Sequence, residues 1–206
     1  MLAEGLTFPV RHVGRGLQPV NSKPNAEEYS VPDATVYIWY PDGENIGHAS
    51  MHIGAHNDPN DILHYVSWWP QGDAGLTDTL PCAPNTLAQD EASEGGAAHV
   101  VYTLNNLNIA TMQASWDGIR NKPAAHYRLL PKNCSTIVAR VMRAGGAGLH
   151  LNKIKELSYA HNAYWTPKNV AQFCNQLRDA GQAVKVKAAG CPTKGNNKLM
   201  TVLGLR

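Results

Sequence analysis

In Ile46-Gly47-His48-Ala49-Ser50-Met51-His52-Ile53-Gly54, the apolar Ala49, Met51 and Ile53 alternate with His48, Ser50 and His52. A period of two specifies a strand with one apolar face, and the apolar set predicts which face meets the core. His48 and His52 are then turned toward a cleft or solvent. Gly47 permits close approach of a neighbouring backbone or a substrate, and the small Ala49 and Ser50 leave room beside such a cleft. Upstream, Thr35-Val36-Tyr37-Ile38-Trp39-Tyr40 is β-branched and aromatic, and Pro41-Asp42-Gly43 signals a turn. A third strand is expected over Ile62 to Trp68, which makes a three-stranded meander.

Working outward, residues 1–34 are rich in Pro, Gly, Asn and Ser and read as an irregular lead-in to a single domain over 35–206. Pro70 to Gly96 reads as a long surface excursion of the kind that often carries function. His99 to Leu104 predicts a strand. Leu107, Ile109, Met112, Trp116 and Ile119 fall at helical spacing and stop before Lys122-Pro123. Ala125 to Leu130 predicts a strand. Asn133 to Ala144 predicts a helix closed by Gly145-Gly146, with Ile137, Val138, Val141 and Met142 on one side. Thr166-Pro167 opens another helix that runs to Ala180-Gly181. Strands are expected at Ala183 to Lys187 and Leu199 to Leu203. The mixture is that of an α+β domain, and 206 residues suffice for one buried core.

Apolar residues make up 43% of the chain and charged residues 17%, a globular composition. The formal net charge of +2 is spread along the chain, which argues against a nucleic-acid partner, since phosphate binding needs a basic stripe. No run approaches the roughly 18 apolar residues of a spanning helix, so stable membrane insertion is not expected. Met1 to Val20 lacks the cationic start and apolar centre of a signal peptide, so any export is expected to use another route. Cys82, Cys134, Cys174 and Cys191 show no CxxC spacing and are too few for a disulfide scaffold.

Cys134 lies immediately before the amphipathic stretch that follows Asn133. A helix N-terminus carries unpaired N–H groups and partial positive charge, which favour a thiolate and can hold an oxyanion. The bland reading is a buried structural thiol. His48 is the base such a nucleophile would need. His48 and His52, with His56 and His64, also suggest a metal, but the stretch lacks the glutamate of the helical zinc motif and reads as a strand. No metal or cofactor is expected. The pair Trp68-Trp69 either plugs the core or lines a groove that binds substrate.

Taken together, Gly47 to Gly54, then Tyr65-Val66-Ser67-Trp68-Trp69-Pro70, then Asn133-Cys134-Ser135 opening a helix, resemble permuted papain-like cysteine enzymes. In these permuted enzymes the histidine strand precedes the cysteine helix, the reverse of the order in papain and the NlpC-type peptidoglycan hydrolases. The resemblance covers about 35–145 and extends to type VI secretion effectors and the Rho-inactivating domain of large bacterial toxins. It implies a central antiparallel sheet packed against the helix that carries the nucleophile. It also implies Cys134 as nucleophile, His48 as base, and Ser67 as orienter with His64 as fallback and Asp58 or Asp61 as substitutes. Trp68, Trp69, Ser50 and Asn133 are the expected substrate contacts.

The activity implied first is cysteine-dependent hydrolysis of amide bonds in peptidoglycan stems or a protein target, by a secreted antibacterial or host-directed toxin acting in a target periplasm or host cytosol. Acyl transfer to, or deamidation of, a host protein is the alternative, and a non-catalytic glycan- or protein-binding domain is a third. A cognate immunity protein and a secretion-apparatus component are the partners such a protein would have.

Overall fold

The computed structural model describes residues 31–41, 46–75, 77–162 and 164–192, all within the unit Val31–Arg206. The expected strand at 199–203, the turn residues Asp42-Gly43 and most of the lead-in lie outside the described residues. The centre is a five-stranded antiparallel sheet in the order β3-β2-β1-β6-β8. Its strands are β1 (Ala34–Trp39), β2 (His48–Ile53), β3 (Tyr65–Val66), β6 (Val100–Leu104) and β8 (Ala183–Lys187). Val36 of β1 pairs with Met51 on one side and Tyr102 on the other.

One face of this sheet is the apolar set expected from the alternation. Ala34, Val36 and Ile38 join Ala49, Met51, Ile53, Val100, Tyr102 and Leu104, all excluded from water. Helices α2 (Ile109–Arg120), α3 (Cys134–Ala144) and α5 (Pro167–Asp179) pack in the layer beneath it. From α3 come Ile137, Val138, Val141 and Met142, from α2 Met112 and Trp116, and from α5 Val170, Phe173 and Leu177. Each such side chain contributes roughly 1.5–3 kcal/mol by leaving water. Thr166 and Asn169 form a reciprocal capping box on α5, with Pro167 in its first turn.

The opposite face of β2 is not open. His48, Ser50 and His52 are all buried. Tyr37 and Trp39 from β1 stand beside these side chains, and Tyr65 and Trp69 close over them. His52, expected toward a cleft or solvent, instead packs on Tyr65 and shares a hydrogen bond with Tyr37 Oη at 3.1 Å.

The third strand is shorter than Ile62 to Trp68. Asp61 Oδ1 accepts the backbone N–H groups of Leu63 and His64, which turns the chain and leaves Ile62 and Leu63 exposed. Beyond Val66 the backbone leaves for a second sheet of β4 (Trp69–Pro70), β5 (Leu80–Ala83) and β7 (His126–Tyr127), in the order β4-β5-β7. The excursion over 70–96 therefore holds β5 and helix α1 (Leu87–Ser93), started by a Thr86–Gln89 capping box. Helix α4 (Lys153–Ala160), capped by Asn152, follows a 3-10 turn and buries none of its residues. Among the described residues, no helix is long and apolar enough to cross a membrane.

Candidate active site

Gly47 sets the entry to β2. Its φ is +79°, and a Cβ there would lie 2.6 Å from Trp39 O and 2.8 Å from Pro41 N. Only glycine allows that approach, which brings His48 into register opposite Trp39. Cys134 is the first residue of α3, and Asn133 is its N-cap, accepting the Thr136 N–H at 2.8 Å. The Asn133 amide also donates to Leu129 O at 2.7 Å and Trp165 O at 2.8 Å, tying two loops to the start of the helix. Asn133, expected to contact substrate, uses its polar atoms as a clamp and also lines the cavity beside Cys134.

The structure brings Cys134 and His48 together: both line one cavity, and each bears on the other's charge. His48 Nε2 faces Asp90 Oδ2 at 3.0 Å and Ser67 Oγ at 3.2 Å, which leaves Nδ1 for the thiol. Ser67 thus touches the imidazole, and it donates in turn to Asp90 Oδ1 at 3.0 Å. The carboxylate is the residue that sequence reasoning missed. Asp90 comes from α1, is fully buried, and also accepts hydrogen bonds from Tyr65 Oη at 2.8 Å, Trp69 Nε1 at 2.5 Å and Asn85 Nδ2 at 3.2 Å. The Thr86–Gln89 pattern could have announced its helix; nothing in the local sequence says that this helix folds back onto β2. His64 and Asp61 instead bond to each other at 2.8 Å.

The remaining expected contacts separate. Ser50 is fully buried and shares a 2.5 Å hydrogen bond with Tyr65 Oη. Trp68 is buried edge-on against Trp116, with one edge on the cavity beside His48. Trp69 lies 4.8 Å from the His48 ring centroid and orients it. The pair is therefore part core plug and part wall.

Electrostatics favour a charged pair. Burial alone would lower the His48 imidazole, but the Asp90 carboxylate and the Cys134 thiolate outweigh it and hold the imidazole well above its usual range. Burial alone would raise the Cys134 thiol; imidazolium charge and the hydrogen bonds from His48, Ala49 and Ser135 bring it below its usual value. Burial likewise opposes ionisation of Asp90, yet His48 and its hydrogen-bond donors hold its carboxyl low. By contrast, burial pushes Cys82 up to about 11 and raises Cys174 further.

Two cavities meet at Cys134. One, about 400 Å³, is lined by His48, Trp69, Asp73, Glu94 and Tyr127 among others. The other, about 420 Å³, runs past Tyr127, Leu129, Leu130, Tyr164, Trp165 and Pro167 and is mainly apolar. Ile46, Gly47, Tyr127 and Cys134 border both.

Over 97 residues, 47% of the chain, it is 35% identical to a multifunctional-autoprocessing repeats-in-toxin protein of Vibrio vulnificus. Over 102 residues, 50% of the chain, it is 34% identical to the protein of the same description from Vibrio cholerae serotype O1. The matched stretch is 2% of the length of either toxin. The family model described as the IcsB middle domain matches residues 26–80 and 77–195, which include Cys134, His48 and Asp90, and the chain therefore belongs to the IcsB middle domain family.

Proposed function

We propose that this chain is a bacterial toxin or effector domain of permuted papain-like type that performs cysteine-dependent acyl transfer. Its nucleophile is Cys134, its acid–base group is His48, and Asp90 orients and charges His48. The observation that carries the reading is the thiol–imidazole–carboxylate line at a helix N-terminus, opening onto a mainly apolar cavity. The similarity to segments of repeats-in-toxin proteins supports the toxin or effector context.

In this reading the Cys134 thiolate attacks the carbonyl of an activated acyl group, and the first N–H groups of α3 hold the oxyanion. Asn133 caps the Thr136 N–H, which leaves those of Cys134 and Ser135 for that task. The His48 imidazolium protonates the leaving group as the tetrahedral intermediate collapses to a thioester on Cys134. It then takes the proton of an incoming amine or water. Asp90 does not exchange the proton; it holds the ring with Nδ1 toward sulfur and stabilises its positive charge.

In this reading the two cavities take the two sides of the reaction. The apolar one suits a hydrocarbon acyl group, each buried methylene being worth about 0.8 kcal/mol. The other carries Asp73 and Glu94 and suits a cationic amine acceptor. Amide hydrolysis of peptide stems, the activity implied first by the sequence, uses the same three groups but gives the apolar cavity no occupant.

The test is to incubate the protein with acyl thioesters of increasing chain length and measure intact mass. An adduct on Cys134 that hydroxylamine removes, that grows with chain length and is absent from Cys134→Ala supports transfer. Release of an amine from peptide amides, with no adduct preference for longer chains, would replace transfer by hydrolysis. Activity unchanged in Cys134→Ala would overturn both.

A further inference from the structure

Outside the Cys134 site, the loop from Gly54 to His64 gathers three groups that have no part in the chemistry above. His64 Nδ1 lies 2.8 Å from Asp61 Oδ2, and His56 Nδ1 lies 3.9 Å from the same oxygen. The two imidazoles are stacked, with centroids 3.7 Å apart and planes 6° from parallel. One ligand atom from each of the three residues falls within 4.8 Å of the others. Full face-to-face overlap is not the arrangement that aromatic rings choose for themselves, and here it turns both Nδ1 atoms toward one carboxylate oxygen.

We propose that His56, Asp61 and His64 bind zinc or a similar first-row divalent ion, with water completing the coordination. Two imidazoles and a carboxylate are the donor set such ions take, whereas calcium and magnesium prefer oxygen alone. Geometry is within reach. A tetrahedral zinc with donors about 2.1 Å away spaces them about 3.4 Å apart. The observed set needs to close from at most 4.8 Å, and the His56 and His64 side chains are 47% and 34% exposed and free to turn. The ion would take the place of the His64–Asp61 hydrogen bond.

Asp61 is held for this task. Its other oxygen accepts the Leu63 and His64 N–H groups at 2.7 and 3.1 Å, which aims Oδ2 between the rings. The adjoining His52 ring is fully buried, its Nε2 is one of the buried polar atoms without a hydrogen-bond partner, and it feels the charges of Asp61 and His56. A bound cation would close the turn between β2 and β3, on the edge of the sheet that carries His48.

The experiment titrates metal-free protein with zinc by calorimetry and with cobalt by absorption spectroscopy. Expected are one ion per chain, a cobalt spectrum without the thiolate charge-transfer band that any of the four cysteines would give, and a melting temperature raised by about 5–10 °C at a hundredfold excess over Kd. His56→Gln, Asp61→Asn and His64→Gln should each weaken binding at least tenfold; the two histidine variants should melt like wild type in metal-free buffer, whereas Asp61→Asn should melt lower because Asp61 also holds the turn. Absence of stoichiometric binding overturns the proposal. So does binding that survives all three substitutions, or a cobalt spectrum that reports sulfur ligation. If Asp61→Asn fails to fold, the two histidine variants decide the outcome by the same titration.

Discussion

Asp90 is the residue on which the site depends, because it is a buried carboxylate with five donors aimed at it. Asp90→Asn keeps the shape and removes the charge that holds His48 up. The expected result is a loss of turnover of at least tenfold and an alkaline limit of activity that moves to lower pH, read from a pH–rate profile. Asp90→Ala strands the buried donors and the imidazolium, and should cost on the order of 3–5 kcal/mol in urea unfolding. Ser67→Ala, which removes one of several bonds to the same carboxylate, should cost about 1 kcal/mol. In the proposed mechanism the reactive form is thiolate with imidazolium, so activity should hold between the depressed Cys134 pKa and the raised His48 pKa. The acid limb belongs to Cys134 and the alkaline limb to His48. Stability follows with the same signs. The Cys134 and Asp90 contributions are lost as pH falls through their folded values, and the His48 contribution is lost as pH rises through its own.

Among the elements, α3 and the Gly47 turn fix the distance between thiol and imidazole. Asn133→Ala should cost about 1 kcal/mol for the cap, and more for the two loops it ties to the helix start. Its unfolding midpoint should drop, and thiol reactivity should drop with it. Gly47→Ala forces a side chain into a left-handed backbone and against Trp39 O, so destabilisation should exceed the 1–2 kcal/mol of the conformation alone. Equilibrium unfolding checks the cost, and acyl-enzyme formation checks whether His48 keeps its place. At this scale the alternation over 48–53 was legible because β2 has one face wholly on the helices. The third strand was over-extended because Ile62 and Leu63 are β-formers that Asp61 diverts into a turn.

For the whole molecule, native protein treated with iodoacetamide near neutral pH should label Cys134 ahead of Cys82 and Cys174, by at least tenfold as read by peptide mass. Cys134 borders both cavities and its pKa is lowered, whereas the other two are raised. Equal labelling of all three would remove the activated nucleophile.

The sequence by itself determined the strands and helices whose apolar spacing repeats, the glycine before His48, and Cys134 at the head of a helix. Each of these is a local property, written in a few consecutive residues. Only the tertiary structure decided that Asp90, forty-two positions after His48, brings a carboxylate to the imidazole, that Ser50 is buried against Tyr65, that Asn133 ties two loops to the helix start, and that a mainly apolar cavity adjoins the thiol. The reason is that an isolated polar residue in a loop-rich segment has no periodicity to betray its partner. Its position is set by the packing of α1 over the far face of β2, which depends on Tyr65, Trp69 and the turn at Asp61 together.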